Sequence, residues 1–490
     1  MTEETTAPKP KEPAWRTIRE NLEAVVIAFA FALIIRCFFV EVFEIPTSSM
    51  EPTLLGQDPD FRLDGGRPVD SVPYRDYHTG PGGDRIMVTK FYFGLGSIER
   101  FDVVVFRFPL NIPKNFIKRV VGLPGEEFMV FHGNLYSRPS DSKDQPFRIA
   151  VKPPKTQESA WIRVGAIDGF LHDPKVFKSH WTVEGVADDD PRPPYEIRGD
   201  ILSTLATGER GVTFRYQREL LDYPEGSNPQ PVDDLNLSMS FELTDQQAQF
   251  TAGIRNRYGL FSLRLGGRES NVLMVTRGDD VHTIDISGRV DPDRFHRIDL
   301  MVYDGQVVAR LNGADTSFRF LQTRQEAELS HPGRAVWFGG KGGAISVRSL
   351  RLSRDIHYKV GGDHRNLKEG TPIRIPKGQY LMMGDNTARS QDSRAWTRVQ
   401  YRLKGGRVVI CEQAERLEGF AAADFAEKEG ISPKPDVIIR SDLYGNQVHF
   451  YDADVEVGPV ETAAPFVDER FVVGKALWIW WPVDRLDVIR

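Results

Sequence analysis

The sequence predicts a mainly β protein carried on one N-terminal membrane helix. Two observations predict this class: a single long apolar run lies near the N-terminus, and the rest of the chain consists of short strand-like runs separated by glycine and proline. The 490 residues suffice for about three domains. The net charge is −6 and no block of Lys or Arg occurs, so no nucleic-acid partner is expected. Two cysteines, Cys37 and Cys411, are too few for a disulfide framework or a cysteine-rich zinc site.

The N-terminal apolar run is long enough to cross a bilayer. Residues 24–40 are apolar at every position except Arg36, and these 17 residues meet the lower limit for a transmembrane helix. We therefore predict a disordered cytoplasmic tail over 1–21 and a transmembrane helix over 22–42. Four basic residues precede the run, and after Arg36 none follows until Arg62. The positive-inside rule then puts the N-terminus in the cytoplasm and the remaining chain on the outer face.

Three other interpretations of this run are open. A cleaved signal peptide would end in small residues, whereas 38–43 is bulky. A lipoprotein anchor on Cys37 would need a small residue where Arg36 stands. A buried helix of a globular domain is the third. Near the C-terminus, the apolar run 476–481 has only six residues and predicts a buried strand instead of a second span.

Beyond the span, the chain contains two kinds of β-rich segment. The first has strand-like runs at 86–89, 103–108, 116–122 and 379–383. The second fills 140–358, where apolar residues alternate through 298–302 and 307–311 around an Asp304-Gly305 turn, a pattern typical of an antiparallel hairpin with one buried face. Similar runs at 236–243, 261–265 and 336–339 make a two-sheet sandwich the expected architecture there. A helix is expected only near 414–429.

One candidate for chemistry is a run of hydroxyl residues close to the span. In 45–54 (IPTSSMEPTL), Thr47, Ser48 and Ser49 stand between two prolines. Nine extended residues reach about 30 Å, so these hydroxyls lie near the membrane surface. Taken alone, such a segment is usually a solvated turn.

The second candidate is a lysine in an apolar strand. Within 116–126 (FIKRVVGLPGE), Lys118 shares a strand face with Phe116 and Val120. Burial lowers the pKa of a lysine, and a neutral amine can take a proton from a serine. Taken alone, a strand lysine usually extends its amine to solvent. The sequence contains neither G-x-S-x-G nor H-E-x-x-H, so histidine-based and zinc-based hydrolysis are not indicated.

Together these segments resemble the type I signal peptidases, membrane-anchored Ser-Lys endopeptidases. Five blocks carry the resemblance in the family's order: 45–54 (IPTSSMEPTL), 101–109 (FDVVVFRFP), 116–126 (FIKRVVGLPGE), 382–396 (MMGDNTARSQDSRAW) and 467–482 (VDERFVVGKALWIWWP). The resemblance implies that Ser49 is the nucleophile and Lys118 the general base. It further implies that Thr47, here in place of the commoner serine, forms the oxyanion hole with the Ser49 N–H, and that Ser390 orients the lysine amine.

The remaining implied residues support the site or line it. Arg119 with Asp385, and Asp392 with Arg394, are expected to be ion pairs that brace the structure. The positions that match the family's substrate pocket are Ile45, Met50, Leu54, Phe116 and Ile117. The resemblance implies removal of signal peptides from exported preproteins after small residues, at an A-x-A type of site, through an acyl-enzyme. It implies neither a metal nor a cofactor, and it implies a single-pass protein of the bacterial cytoplasmic membrane with its catalytic domain on the periplasmic face.

The chain departs from a minimal family member in its insertions. We predict a catalytic domain in three parts, 43–139, 359–401 and 466–490, separated by a first insertion over 140–358 and a second over 402–465. The first insertion resembles concanavalin-like and laminin-G-like sandwiches, and its role is open between a spacer and a module that binds a glycan or a protein. A different function also stays open, a membrane-anchored display protein with a vestigial peptidase core. A Ser-Lys self-cleaving repressor is disfavoured because the chain has a membrane span and lacks a DNA-binding N-terminal domain.

Overall fold

The fold is mainly β, as the sequence predicts. The computed structural model describes residues 14–57, 83–90, 97–164, 170–185, 194–205, 211–222, 229–328, 333–362, 364–412 and 437–489. The N-terminal segment contributes α1 (Ala14–Phe38), β1 (Val40–Glu44), β2 (Arg85–Lys90), β3 (Val103–Phe108), β4 (Asn111–Gly122), β5 (Glu126–Phe131) and β6 (Asn134–Pro139).

The middle of the chain supplies two short helices and half of the described strands. They are β7 (Arg148–Ile149), α2 (Pro154–Ala160), β8 (Ile162–Val164), α3 (Pro174–His180), β9 (Trp181–Glu184), β10 (Tyr195–Arg198), β11 (Ile201–Thr204), β12 (Val212–Tyr216), β13 (Leu235–Leu243), β14 (Gln249–Asn256), β15 (Gly259–Gly266), β16 (Val272–Arg277), β17 (Asp280–Asp285), β18 (His296–Tyr303), β19 (Gln306–Leu311), β20 (Ala314–Arg319), β21 (Ala335–Lys341) and β22 (Ile345–Arg354).

The C-terminal part again consists of short strands, like the N-terminal segment. Its strands are β23 (Ile373–Arg374), β24 (Gln379–Met383), β25 (Thr397–Leu403), β26 (Val408–Glu412), β27 (Val437–Ser441), β28 (Gln447–Tyr451), β29 (Val455–Ala463), β30 (Phe466–Asp468), β31 (Val472–Trp481) and β32 (Asp487–Val488).

One sheet joins the distant ends of the chain and is called the core sheet here. Its order among the described strands is β1-β2-β31-β3-β4-β24-β30, with β32 against β31. A smaller sheet, β23-β5-β6-β7, lies beside it, and β25, β26 and β29 form a separate sheet from the region of the second insertion. The C-terminal run therefore enters the core sheet as β31 between β2 and β3. The predicted strand is present but is buried only in part: Ala476 and Ile479 are buried, whereas Trp478 and Trp481 are exposed.

The first insertion folds as two packed sheets. The first sandwich sheet has the order β10-β11-β22-β13-β18-β19-β20, with β8 on β22, and the second sandwich sheet has the order β17-β16-β15-β14-β21-β12-β9. Buried residues of both sheets form one apolar core. The predicted hairpin is confirmed: β18 pairs with β19, and both turn residues, Asp304 and Gly305, have positive φ.

The helices differ from the sequence expectation. The helix α1 begins at Ala14, inside the predicted tail, and ends at Phe38 because Val40–Glu44 pairs with β2 instead of extending the helix to 42. Helices α2 and α3 were not expected; each has seven residues and starts with proline, too short to show a helical period. The predicted tail residues 1–13 and the predicted helix 414–429 lie outside the described residues. Within the described ranges, no helix is long and apolar enough to span a membrane.

Candidate active site

The predicted serine and lysine lie side by side. Ser49 belongs to a single 3-10 turn, Ser48–Met50, that follows β1, and Lys118 lies in the middle of β4 opposite Val104 of β3. The Lys118 Nζ donates a hydrogen bond to the Ser49 Oγ at 2.7 Å and another to the Ile117 carbonyl at 3.0 Å. Ser48, the adjacent serine, is only partly buried.

Local contacts hold the serine turn in place. The Asp84 carbonyl accepts from the Ile45 N–H at 2.9 Å, and its carboxylate accepts from the Leu55 N–H at 2.7 Å, so one residue fixes both ends of the turn. Arg485 pairs with the same carboxylate at 2.8 Å. Between those ends, Met50 is fully buried and anchors the turn in an apolar cluster with Leu54. The serine is therefore presented by a fixed segment.

The surroundings of Lys118 favour its neutral form. The side chain is 4% exposed, and its Nζ lies 5.6 Å from the centroid of the Phe116 ring. Burial lowers the lysine pKa from 10.5 to about 8; Asp392 and Asp385 oppose this decrease, and Arg394 adds to it. Neither aspartate contacts the amine, because each is paired with an arginine. The amine therefore loses its proton far more readily than a lysine in water.

A loop over 384–394 packs against the serine turn. The Asn386 N–H donates to the Ser49 carbonyl at 3.2 Å, and its side-chain amide donates to the Ser48 carbonyl, also at 3.2 Å. A Cβ on Gly384 would lie 2.4 Å from the Ser49 carbonyl and 2.2 Å from the Ser390 Oγ, so only glycine allows this close approach. The loop is thus fitted directly against the serine turn.

The two predicted ion pairs are present and fully buried. The Arg119 guanidinium binds Asp385 through two hydrogen bonds of 2.7 and 2.6 Å, and Thr53 donates to the same carboxylate at 2.6 Å. Arg394 binds Asp392 in the same two-pronged manner, at 2.8 and 2.6 Å. Burial alone would raise the pKa of Asp392, but Arg394 outweighs it and lowers the pKa below its ordinary value. The Asp392 carboxylate therefore stays ionised near the lysine.

The remaining predicted residues occupy distinct positions. The Thr47 side chain is exposed, and its Oγ1 lies 3.4 Å from the Ser49 Oγ, too far for a strong hydrogen bond. Ser390 is buried, and its Oγ has no hydrogen-bond partner among the described residues. Of the predicted pocket residues, Phe116 lies apart, stacked on Phe108 at 4.4 Å. The other four belong to one apolar cluster: Ile45, Met50, Leu54 and Ile117.

Three residues that support this site were missed by sequence reasoning. They are Asp84, Asn386 and Thr53. Asn386 lies inside the quoted 382–396 block, so that block could have identified it. Asp84 and Thr53 have no local signature, because each acts through a partner that is distant in the chain.

A family model described as signal peptidase, peptidase S26, matches residues 18–63, 75–161 and 305–411. Two curated relatives are signal peptidase I of Pseudomonas fluorescens, 36% identical over 106 residues (19% of this chain and 28% of the relative), and a probable signal peptidase I-2 of Synechocystis, 33% identical over 137 residues (27% and 50%). Signal peptidase I of Rickettsia typhi is 29% identical over 123 residues, 25% of this chain and 44% of the relative. The chain thus spans half or less of the length of these relatives.

Two solved structures are similar to part of this chain. A CBM2 module of a Lactobacillus casei phage J-1 protein covers 39% of this chain and 95% of its own length, with a TM-score of 0.28 and 12% identity. The carbohydrate-binding module CBM66 from Bacillus subtilis covers 36% and 95%, with a TM-score of 0.24 and 8% identity. At these TM-scores the likeness supports no functional argument. The family-model match and the signal peptidase relatives support the resemblance of this chain to the type I signal peptidases, serine endopeptidases of family S26.

Proposed function

We propose that the protein is a signal peptidase I that cleaves exported preproteins after small residues by a Ser49/Lys118 dyad. The observation that carries this proposal is the 2.7 Å contact between the Lys118 Nζ and the Ser49 Oγ. Burial lowers the pKa of that lysine to about 8, so roughly a tenth of the amine is neutral at pH 7 and about half at pH 8. Acyl transfer through a serine requires a nucleophile and a base in direct contact.

The proposed reaction proceeds through an acyl-enzyme. Neutral Lys118 removes the hydroxyl proton of Ser49 as its Oγ attacks the scissile carbonyl, and the charged amine then gives that proton to the departing amine of the mature protein. The Ser49 N–H and the Thr47 hydroxyl stabilise the oxyanion, for which the Thr47 side chain has to turn away from its 3.4 Å contact with Ser49. A water molecule deprotonated by Lys118 hydrolyses the ester.

The surrounding residues are proposed to position this dyad. Ser390 orients the Lys118 amine when its hydroxyl, which is buried without a partner among the described residues, turns towards it. Asn386 fixes the serine turn through its two hydrogen bonds. The buried Arg119–Asp385 pair holds the loop over 384–394 against β4, and the buried Asp392–Arg394 pair braces the loop itself. The apolar cluster around Met50 lies beneath the serine turn and favours small, uncharged substrate side chains.

We propose that α1 anchors the enzyme in the bacterial cytoplasmic membrane, with the catalytic domain on the periplasmic face. Apolar side chains of α1 are exposed, among them Phe29 at 66%. A row of apolar side chains crosses the neighbouring edge of the core sheet, because Val42, Met87, Trp478 and Val488 pair in succession. Three of them are 41–51% exposed. An exposed row with a tryptophan beside an apolar helix is typical of a surface in contact with lipid.

Cleavage of a precursor by variants of the full-length protein in detergent tests the proposal. Wild type and Ser48→Ala should cut a precursor after its A-x-A site, whereas Ser49→Ala and Lys118→Ala should lose at least about a thousandfold in kcat. Ser48→Ala is the matched control, since Ser48 is the adjacent hydroxyl on the same turn. Full activity of Ser49→Ala, or inactivity of a folded wild type on several such precursors, would contradict the dyad.

A further inference from the structure

The outer face of the second sandwich sheet carries a tryptophan that takes no part in the core. On β21, Val336 and Phe338 point inward and are 1% and 0% exposed. Trp337 between them therefore points to the opposite face. It is directly opposite Arg215 of β12 on one side and Gly253 of β14 on the other. Its position at the middle of the sheet, and not at an edge, gives it neighbours on both sides.

The indole of Trp337 lies flat on the sheet. A Cβ on Gly253 would lie 2.1 to 2.6 Å from three atoms of the ring. The indole therefore occupies the space that the side chain of any residue other than glycine would need. The next outward position across the sheet is Ser262, opposite Gly253. One face of the indole is thus supported by backbone, and the other faces outward beside a small hydroxyl residue. Such a ring offers a flat apolar surface to a ligand.

The same face is basic on a chain whose net charge is −6. Arg215 shares it with Trp337, and alternation places three further cations on it: Arg255, Arg264 and Lys341. Among the outward residues of β9, β12, β14, β15 and β21, the one acidic side chain is Glu184, which pairs with Arg215 at 2.8 Å. Arg264 pairs with Glu269 of the following turn at 3.0 Å.

A cavity extends this basic surface beyond Arg255. Its volume is about 340 Å³, and its lining includes three arginines, Arg218, Arg255 and Arg334, with Glu219 as the acidic residue. Arg334 pairs with Asp233 at 2.9 Å, whereas Arg218 donates to the Ser179 carbonyl at 3.2 Å. The cavity and the outer face thus share Arg255, and the cavity lining has three arginines against one glutamate, which suits a negatively charged ligand.

We propose that this face binds an acidic polysaccharide. One sugar ring stacks on Trp337, and Arg255 and Arg218 bind carboxylates of the polymer. A pyranose presents a flat face of C–H groups that packs on an indole, and a guanidinium binds a carboxylate through two parallel hydrogen bonds. Because the domain is exposed on the outer side of the membrane in the proposed function, an anionic glycan is the ligand accessible to it. The binding does not use Ser49 or Lys118.

Isothermal titration of the full-length protein in detergent with polygalacturonate tests the proposal, with dextran as the neutral polymer. We expect saturable binding of polygalacturonate that weakens with salt, and no binding of dextran. Trp337→Ala should weaken binding at least tenfold and Trp337→Phe less, because a smaller ring remains. Arg255→Ala should weaken it several-fold and reduce its salt dependence. Arg198→Ala, an exposed arginine of the first sandwich sheet, is the control and should bind as wild type.

Three results would overturn the proposal. They are the absence of saturable binding to polygalacturonate, wild-type affinity in both Trp337→Ala and Arg255→Ala, or tighter binding of oligodeoxythymidylate than of the polysaccharide. Precursor cleavage measured on the same samples should be unchanged in every one of these variants. A failure of glycan binding is thereby distinguished from a failure of the peptidase proposal, and thermal unfolding identifies any variant that does not fold.

Discussion

Two lysines in this protein are buried to the same extent and behave oppositely. Lys118 in β4 is 4% exposed, and Lys152, which follows β7 where the sandwich meets the core, is 3% exposed. Burial lowers the pKa of Lys118 to about 8. Burial also acts to lower the pKa of Lys152, but Asp304 and Asp355 outweigh it and raise the pKa above its ordinary value. Burial alone therefore does not determine the charge of a lysine.

The direct partner of each amine makes the difference. Lys118 contacts a hydroxyl and a carbonyl, neither of which carries a charge. Lys152 contacts the carboxylates of Asp304 at 2.7 Å and Asp355 at 2.8 Å. The aspartates nearest to Lys118 are instead held by arginines, which leaves them within electrostatic range but out of contact. Because no carboxylate contacts its amine, Lys118 keeps a lowered pKa.

The cluster around Lys152 also joins the sandwich to the site. Asp304 is in the β18–β19 turn, and Asp355 directly follows β22. Two residues later, the His357 carbonyl accepts from the Thr387 hydroxyl at 2.9 Å, and the Lys359 carbonyl accepts from Arg394 at 2.8 Å. The strand that leaves the sandwich thus supports the loop over 384–394. The insertion is structurally continuous with the catalytic region.

The cluster contains three aspartates in a metal-like arrangement. Carboxylate oxygens of Asp234, Asp304 and Asp355 lie within 4.8 Å of one another. Burial, with the two neighbouring aspartates, raises the pKa of Asp234 well above its ordinary value. The Lys152 amine contacts the other two carboxylates, Asp304 at 2.7 Å and Asp355 at 2.8 Å, so this cluster already holds a cationic side chain.

Replacing Lys118 by methionine gives the largest expected effect. Lys118→Met should lower kcat for precursor cleavage by at least about a thousandfold, because no base remains beside Ser49. At pH 7 it should unfold at a temperature equal to or above that of wild type, since methionine removes a buried amine that carries no direct counter-charge. Thermal unfolding and cleavage rates on the same preparation measure both quantities. A marked loss of stability would show that Lys118 is stabilised by charge, contrary to the comparison.

The same substitution at Lys152 should do the reverse. Lys152→Met should destabilise the protein by about 3–5 kcal/mol, because it leaves Asp304 and Asp355 buried without their cation. Denaturant unfolding measures the loss. The combined variant with Asp304→Asn and Asp355→Asn should recover much of it, since the uncompensated charges are gone. Unchanged stability in Lys152→Met would mean that the carboxylates take up protons at little cost, and the contrast between the two lysines would fail.

The pH dependence gives a sharper test of the contrast. Lys118 has a folded pKa of about 8 against 10.5 unfolded, so between these values the unfolded chain binds more protons and stability increases with pH. The gain is about 3 kcal/mol at most, and Lys118→Met should lack it. Lys152, with its raised pKa, contributes stability that is complete below the unfolded value and is lost only as pH rises through its higher folded pKa. Urea unfolding of both variants from pH 7 to 11 measures the two slopes.

Cleavage should follow the same titration. The rate for wild type should increase through about pH 8, where the Lys118 amine becomes neutral. A rate that is flat from pH 6 to 10 would argue against Lys118 as the base.

The parts of this molecule that were predicted from sequence are those with local signatures. Alternating apolar residues and an Asp304-Gly305 turn identified the β18–β19 hairpin, and the motif blocks located Ser49 and Lys118. What could not be predicted depends on long-range contact. Asp84 and Thr53 contact partners far along the chain. No residue near Lys152 in the sequence indicates that it pairs with two aspartates 152 and 203 positions away. The sequence marks a candidate lysine but not the partner that sets its charge.

The smallest expected effect concerns Ser390. Its hydroxyl is buried, has no hydrogen-bond partner among the described residues and lies beside Gly384 and the Ser49 carbonyl. If it turns to orient the Lys118 amine during the reaction, Ser390→Ala should lower kcat about tenfold with KM unchanged, and shift the midpoint of the pH–rate profile. Stability should be equal or slightly higher, because an unsatisfied buried hydroxyl is removed. Ser390→Cys, which keeps a weaker donor of similar size, should be intermediate. A wild-type kcat and profile in Ser390→Ala would reduce this serine to a packing residue, and Lys118 would then depend on Ser49 and the Ile117 carbonyl alone for its orientation.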